Sequence, residues 1–278
     1  MIYDIPINDF LMALSLTLIA GLSTGIGATF AFFSGSNNYK FLSIGMGFSA
    51  GVMVYVSFVE ILADAKKSFI VLFGEVSGEG YALIMFFGGF LVAALIDRFI
   101  PDDVNPHELK SHSELDSIKT DTMSKSALKR TGIFTAVAIT IHNFPEGFAT
   151  FVASLDGLAL GIPIALAIAI HNIPEGMAVS LPIYHATGDK KRAFIYALVS
   201  GFAEPFGAIV GFFILIPLLG DMTLGITYAM VAGIMIYISF DELLPAARVY
   251  GNAHTTIFGL GLGMAVMAFS LLLFKVVL

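Results

Sequence analysis

The sequence predicts an all-α integral membrane protein: eight transmembrane helices, with inverted-topology repeats in helices 1–3 and 6–8 around a central pair, helices 4 and 5. Three observations carry this expectation. Of the 278 residues 57% are hydrophobic and only 13% charged, with a mean hydropathy of +0.89. The apolar residues fall in long unbroken runs, and segments of the first half return in the second. A helix needs about 20 apolar residues to cross the hydrocarbon. Windows of that length lie at 10–33, 40–63, 80–99, 129–154, 158–184, 192–217, 223–246 and 254–277. Continuous runs rich in Gly and Ala suit packed membrane helices, whereas a β-barrel would show short segments of period two.

Helix 1 follows MIYDIPINDF, which has two Asp and no Lys or Arg, so it lacks the basic start of a cleavable signal peptide and is expected to be retained. Helix 2 contains GVMVYVSFVEIL from Gly51, and helix 7 contains GIMIYISFDELL from Gly233; seven of the twelve positions are identical. Helix 1 (GLSTGIGATFAFF from Gly21) aligns in the same way with helix 6 (GFAEPFGAIVGFF from Gly201). Helices 3 and 8 complete the two repeats. Between helices 3 and 4, residues 101–128 form a polar loop without apolar period. His107 and His112 lie in it among acids, and a solvated loop suits them better than an ion site.

Placing the N-terminus outside puts eleven of the 14 Lys and Arg on the cytoplasmic side and leaves Lys66, Lys67 and Lys275 outside. That split follows the positive-inside rule for a cell-membrane protein, and it makes helices 2 and 7 antiparallel. Inverted repeats suit a transporter, which needs two states of similar energy around a midplane site. The whole chain, 1–278, reads as one transmembrane domain. Zero cysteines exclude thiolate metal sites, and nothing suggests nucleic-acid binding.

The chemistry lies in HNFPEG at 142–147 and HNIPEG at 171–176. Polar groups at membrane depth are costly unless they meet a partner, a cavity or an ion. At 100° per residue Glu146 sits between His142 and Asn143 on one helix face, and Glu175 sits likewise between His171 and Asn172. Pro145 and Pro174 remove backbone donors and free the carbonyls of Ile141 and Ile170, while Gly147 and Gly176 leave room for a neighbouring helix. Both His residues lie about 20 Å from the outer surface, and Glu204, in FAEPFG of helix 6, about 18 Å from the inner one. The candidate metal ligands are therefore His142, Asn143, Glu146, His171, Asn172, Glu175 and Glu204. Nitrogen and oxygen donors of this kind suit zinc, iron(II), manganese or cobalt rather than copper(I). If both motif glutamates bridge, two ions could sit side by side.

Together the paired motifs, the Glu-Pro of helix 6 and the eight helices with a His-bearing third loop resemble the ZIP family of divalent-metal transporters, over nearly the whole chain. The resemblance implies uptake of zinc, and of other divalent ions such as iron, manganese, cobalt and cadmium, across the cytoplasmic membrane through a binuclear site with those seven ligands. Metal is then substrate, and no catalytic cofactor is expected. Many members carry Gln-Asp where this chain has His171 and Asn172. The family also implies a contribution from helix 2, for which Met53 is the candidate, although a buried Met is more often packing. Glu60 and Asp241 or Glu242 are repeat-related acids at the two mouths, equally consistent with ordinary interfacial acids. An elevator-like movement of helices 1, 4, 5 and 6 against the rest is a further implication. Membrane-facing Gly and Phe patches would allow a homodimer.

The competing class is an intramembrane metal-dependent hydrolase. Such an enzyme wants an open metal position and a separate base, as HExxH supplies, and no HExxH occurs. The chain is therefore expected not to be an enzyme. A passive metal channel is the nearer alternative.

Overall fold

The computed structural model describes residues 5–33, 38–98, 123–155, 158–215 and 222–277. They form eight helices: α1 (Ile7–Phe33), α2 (Tyr39–Phe73), α3 (Glu75–Arg98), α4 (Met123–Ser154), α5 (Leu158–Thr187), α6 (Lys190–Ile214), α7 (Thr223–Val249) and α8 (Ala253–Val277). Six of them, all but α4 and α5, are long and apolar enough over their described residues to cross a membrane. The remaining two carry the polar motifs. His107 and His112 lie outside the described residues.

Short turn chemistry sets the helix ends. The Asn38 side chain caps α2 by accepting from the Phe41 amide at 3.1 Å, and Asp189 caps α6 by accepting from that of Arg192 at 2.9 Å. Gly74 (φ 81°) and Gly188 (φ 68°) turn the chain after α2 and α5 in a left-handed conformation that a side chain would strain. The helix α2 runs ten residues past its apolar window, because helical hydrogen bonding continues into the interface, where Lys67 pairs with Asp64 at 2.7 Å.

The repeats extend to the backbone. In α2 residues Ser57–Ile61 and in α7 residues Ile238–Leu243 open into a π turn, within the duplicated YxSFxE stretch. Ser57 and Ser239 each donate to the carbonyl four residues back, Met53 and Met235, and the Ser57 hydroxyl also lies 3.4 Å from the Met235 sulfur. A π turn inserts one residue into the helical ladder and is frequent at functional positions. Glu60 and Asp241 both lie in these turns, and each helix continues beyond them, so neither acid ends its helix. The Glu242 side chain is outside the described ones.

The helices sort into two groups. Each packs most heavily within its own: α1, α4, α5 and α6 in one, α2, α3, α7 and α8 in the other. The contacts between groups run mainly along α2 against α5 and α7 against α4. Within groups, glycines permit close crossings. A side chain at Gly51 would collide with the Leu260 carbonyl of α8, and one at Gly263 with the Phe48 carbonyl of α2. Such small-residue faces are how apolar helices find tight partners in lipid, where burial itself provides no drive. Phe10, Phe151 and Phe212 close one end of the first group with ring centroids 5.1 to 5.5 Å apart.

Candidate metal centre

Helices α4 and α5 bring the two motifs face to face. His142 Nε2 lies 2.9 Å from Glu175 Oε1 of the opposite helix and 3.2 Å from Glu146 Oε2, one turn along its own. All three side chains are buried, and one ligand atom from each lies within 4.8 Å of the others. In a tetrahedral zinc shell with bonds of about 2.0–2.1 Å, neighbouring ligand atoms stand about 3.3 Å apart. The two His142 contacts are close to that edge, and the third pair of ligand atoms lies within 4.8 Å.

A second cluster is built on α6. The Asn172 amide donates to Glu204 Oε1 and, at 2.9 Å, to the Ala20 carbonyl of α1. Glu204 is fully buried and stands beside, not within, the cluster of His142, Glu146 and Glu175. The Asn143 amide instead donates to the Ser200 carbonyl at 3.1 Å. Both asparagines thus spend N–H on backbone carbonyls, leaving their side-chain oxygens, Asn143 Oδ1 and Asn172 Oδ1, buried and without a hydrogen-bond partner among the described residues. Glu175 Oε2, Glu204 Oε2 and His142 Nδ1 are in the same condition. Buried acceptors that no donor reaches are costly, and a divalent cation satisfies oxygen acceptors and carboxylate charge together. His171 lies on α5, but its side chain is outside the described ones.

Glycine brings α6 and α1 this close. A side chain at Gly147 would collide with the Glu204 backbone, one at Gly176 with the Thr24 carbonyl, and one at Gly207 with the Phe144 carbonyl. The last residue of each motif therefore seats the neighbouring helix. Met53 is fully buried in the main core cluster, to which all eight helices contribute, a placement that packing alone explains. One position had no signal in the sequence: Ser49, whose hydroxyl donates to the Pro174 carbonyl at 2.6 Å. A lone serine in an apolar helix looks like any other.

Residues 101–271 match the family described as ZIP Zinc transporter. The chain is 57% identical to the zinc transporter ZupT of Campylobacter jejuni, covering 95% of this chain and 97% of that one. It is 54% identical to ZupT of Clostridium perfringens (96% and 97% covered) and 53% to that of Oceanobacillus iheyensis (96% and 99%). Two motif-bearing helices meeting over a buried cluster of His and Glu, in a chain of eight membrane helices that matches these proteins almost end to end, identify it as a member of the ZIP transporter family.

Proposed function

We propose that this protein imports zinc, and with it iron(II), manganese, cobalt and cadmium, across the cytoplasmic membrane by alternating access, with its N-terminus outside. The observation that carries this is the buried set His142, Glu146 and Glu175, with the buried pair Asn172 and Glu204 beside it. The relatives' names as zinc transporters point to the same ion. His142, Glu146 and Glu175 hold one cation, and Glu204, Asn172, Asn143 and His171 complete the shell of a second, with the motif glutamates bridging. Three carboxylates against two dications leave the pair loosely held, which suits release. The duplicated helices and the grouping of α1, α4, α5 and α6 support a cycle in which the motif group moves against the other and exposes the layer to either side.

The hydrolase alternative falls with family membership, since the family is one of transporters. Radiolabelled zinc uptake into proteoliposomes tests the reading, with manganese and iron(II) as competitors. Saturable uptake by the wild type, lost in an E146A/E175A double variant that still folds, is expected. Uptake that never saturates would indicate a channel, and no uptake under either pH gradient would remove the importer altogether.

A further inference from the structure

The seam between α2 and α5 joins the two helix groups, and it is fastened in one antiparallel register. Ser49 of α2 stands opposite Pro174 of α5, with its hydroxyl 2.6 Å from that carbonyl. Gly45 lies under the Met177 and Leu181 side chains. At the end of the seam Asn38, the cap of α2, meets His185: Nε2 lies 3.3 Å from the Asn38 carbonyl. From 38 to 49 and from 174 to 185 each helix advances eleven residues, about 16.5 Å. The two contacts are therefore a matched pair, one at each end of the same stretch.

Both are built alike. A serine hydroxyl and a neutral imidazole each carry one hydrogen to donate, and each here faces two carbonyls, one in its own helix and one across the seam. Ser49 Oγ is also 3.0 Å from Gly45 O, and His185 Nδ1 is 2.8 Å from Leu181 O. When the seam lets go, either donor falls back on its own helix and no buried donor is orphaned, which is the usual penalty for breaking a hydrogen bond inside a protein. The shorter contact is across the seam for Ser49 and within its own helix for His185, which for a neutral imidazole corresponds to the proton on Nδ1.

We propose that Ser49 and His185 are positioning residues of the transport cycle, exchangeable latches that hold the α5 motif in register against α2, with the Ser49 latch engaged and the His185 latch released in this conformation. Ser49 acts on the site through the backbone, because the carbonyl it grips immediately precedes Glu175. The role in transport rests on the function proposed above, whereas the latch itself does not.

The test is hydrogen–deuterium exchange of peptides covering 38–53 and 171–187 in nanodiscs, alongside zinc uptake and equilibrium zinc binding. The wild type is compared with S49A, S49T and H185F. S49A is expected to speed exchange along the seam about fivefold, the factor for one net hydrogen bond, and to change the maximal uptake rate at least about twofold while zinc affinity stays within about twofold. S49T keeps the hydroxyl and should behave as wild type, and H185F should have a smaller effect than S49A. Unchanged exchange in S49A, equal effects of S49A and S49T, an unchanged uptake rate, or a larger effect of H185F each overturns the proposal. A wild type that exchanges as expected but moves no zinc overturns the transport function instead.

Discussion

The two halves of the polar layer are built differently. Around His142 the contacts run side chain to side chain, between an imidazole and two carboxylates on the motif helices. Around Glu204 they run through amides whose N–H groups are anchored on the backbones of α1 and α6. The first half is a ready ligand cluster whose shape depends on the α4–α5 register alone. The second is a carboxylate steadied by its surroundings, and it is only as well placed as the helices that carry it. On the ligand set proposed above, such a division supplies one firm set of donors and one that loosens when its helices shift.

The largest effect is expected at the firm half. Glu175→Ala removes the carboxylate that faces His142 across the helices and should lower zinc uptake on the order of a hundredfold, the upper end of the 10–100-fold typical of an outer partner; membrane-extracted protein of normal stability would show that the loss is chemical. At the anchored half, Asn172→Ala frees Glu204 and unties α5 from α1, and about a tenfold loss of uptake is expected. Asn143→Ala, whose amide donates to the Ser200 carbonyl and not to Glu204, should cost less, so measuring the two side by side ranks the anchors; equal losses would mean that the halves are not distinct. Gly147→Ala drives a methyl group into the Glu204 backbone, and overpacking of this kind costs about 1–3 kcal/mol, readable as a lower thermal midpoint with uptake falling through the displaced Glu204. The smallest effect is expected for Met53→Leu, a swap of similar volume costing under about 1.5 kcal/mol. If it abolished uptake, the sulfur would be a ligand and the firm half would have a further member.

Much of this was legible in advance because lipid imposes strong rules on sequence. Eight apolar runs appear as eight helices, and their ends differ from the windows where polar residues stay helical in the interface, as at Asp64 to Phe73. Duplication exposed helices 2 and 7, and the same duplicated stretch carries two of the three π turns among the described residues, which no propensity scale announces. His142, Asn143, Glu146, Asn172, Glu175 and Glu204 stood out because a polar group at membrane depth demands a reason. Which of them touch was not legible. The pairing of His142 with Glu175, and of Asn172 with Glu204, depends on helix register and rotation, quantities that no periodicity within one helix contains.

By itself the sequence determined the number of helices, the polar residues lodged within them and the glycines that let them meet, since each follows from local composition against a fixed bilayer thickness. Only the tertiary structure decided that two helix groups exist, that His142 is shared by two glutamates, and that Ser49 grips the Pro174 carbonyl. Those are relations between distant segments, selected by the packing of whole helix faces, and a contact of a few ångströms is set by the sum of many small close approaches.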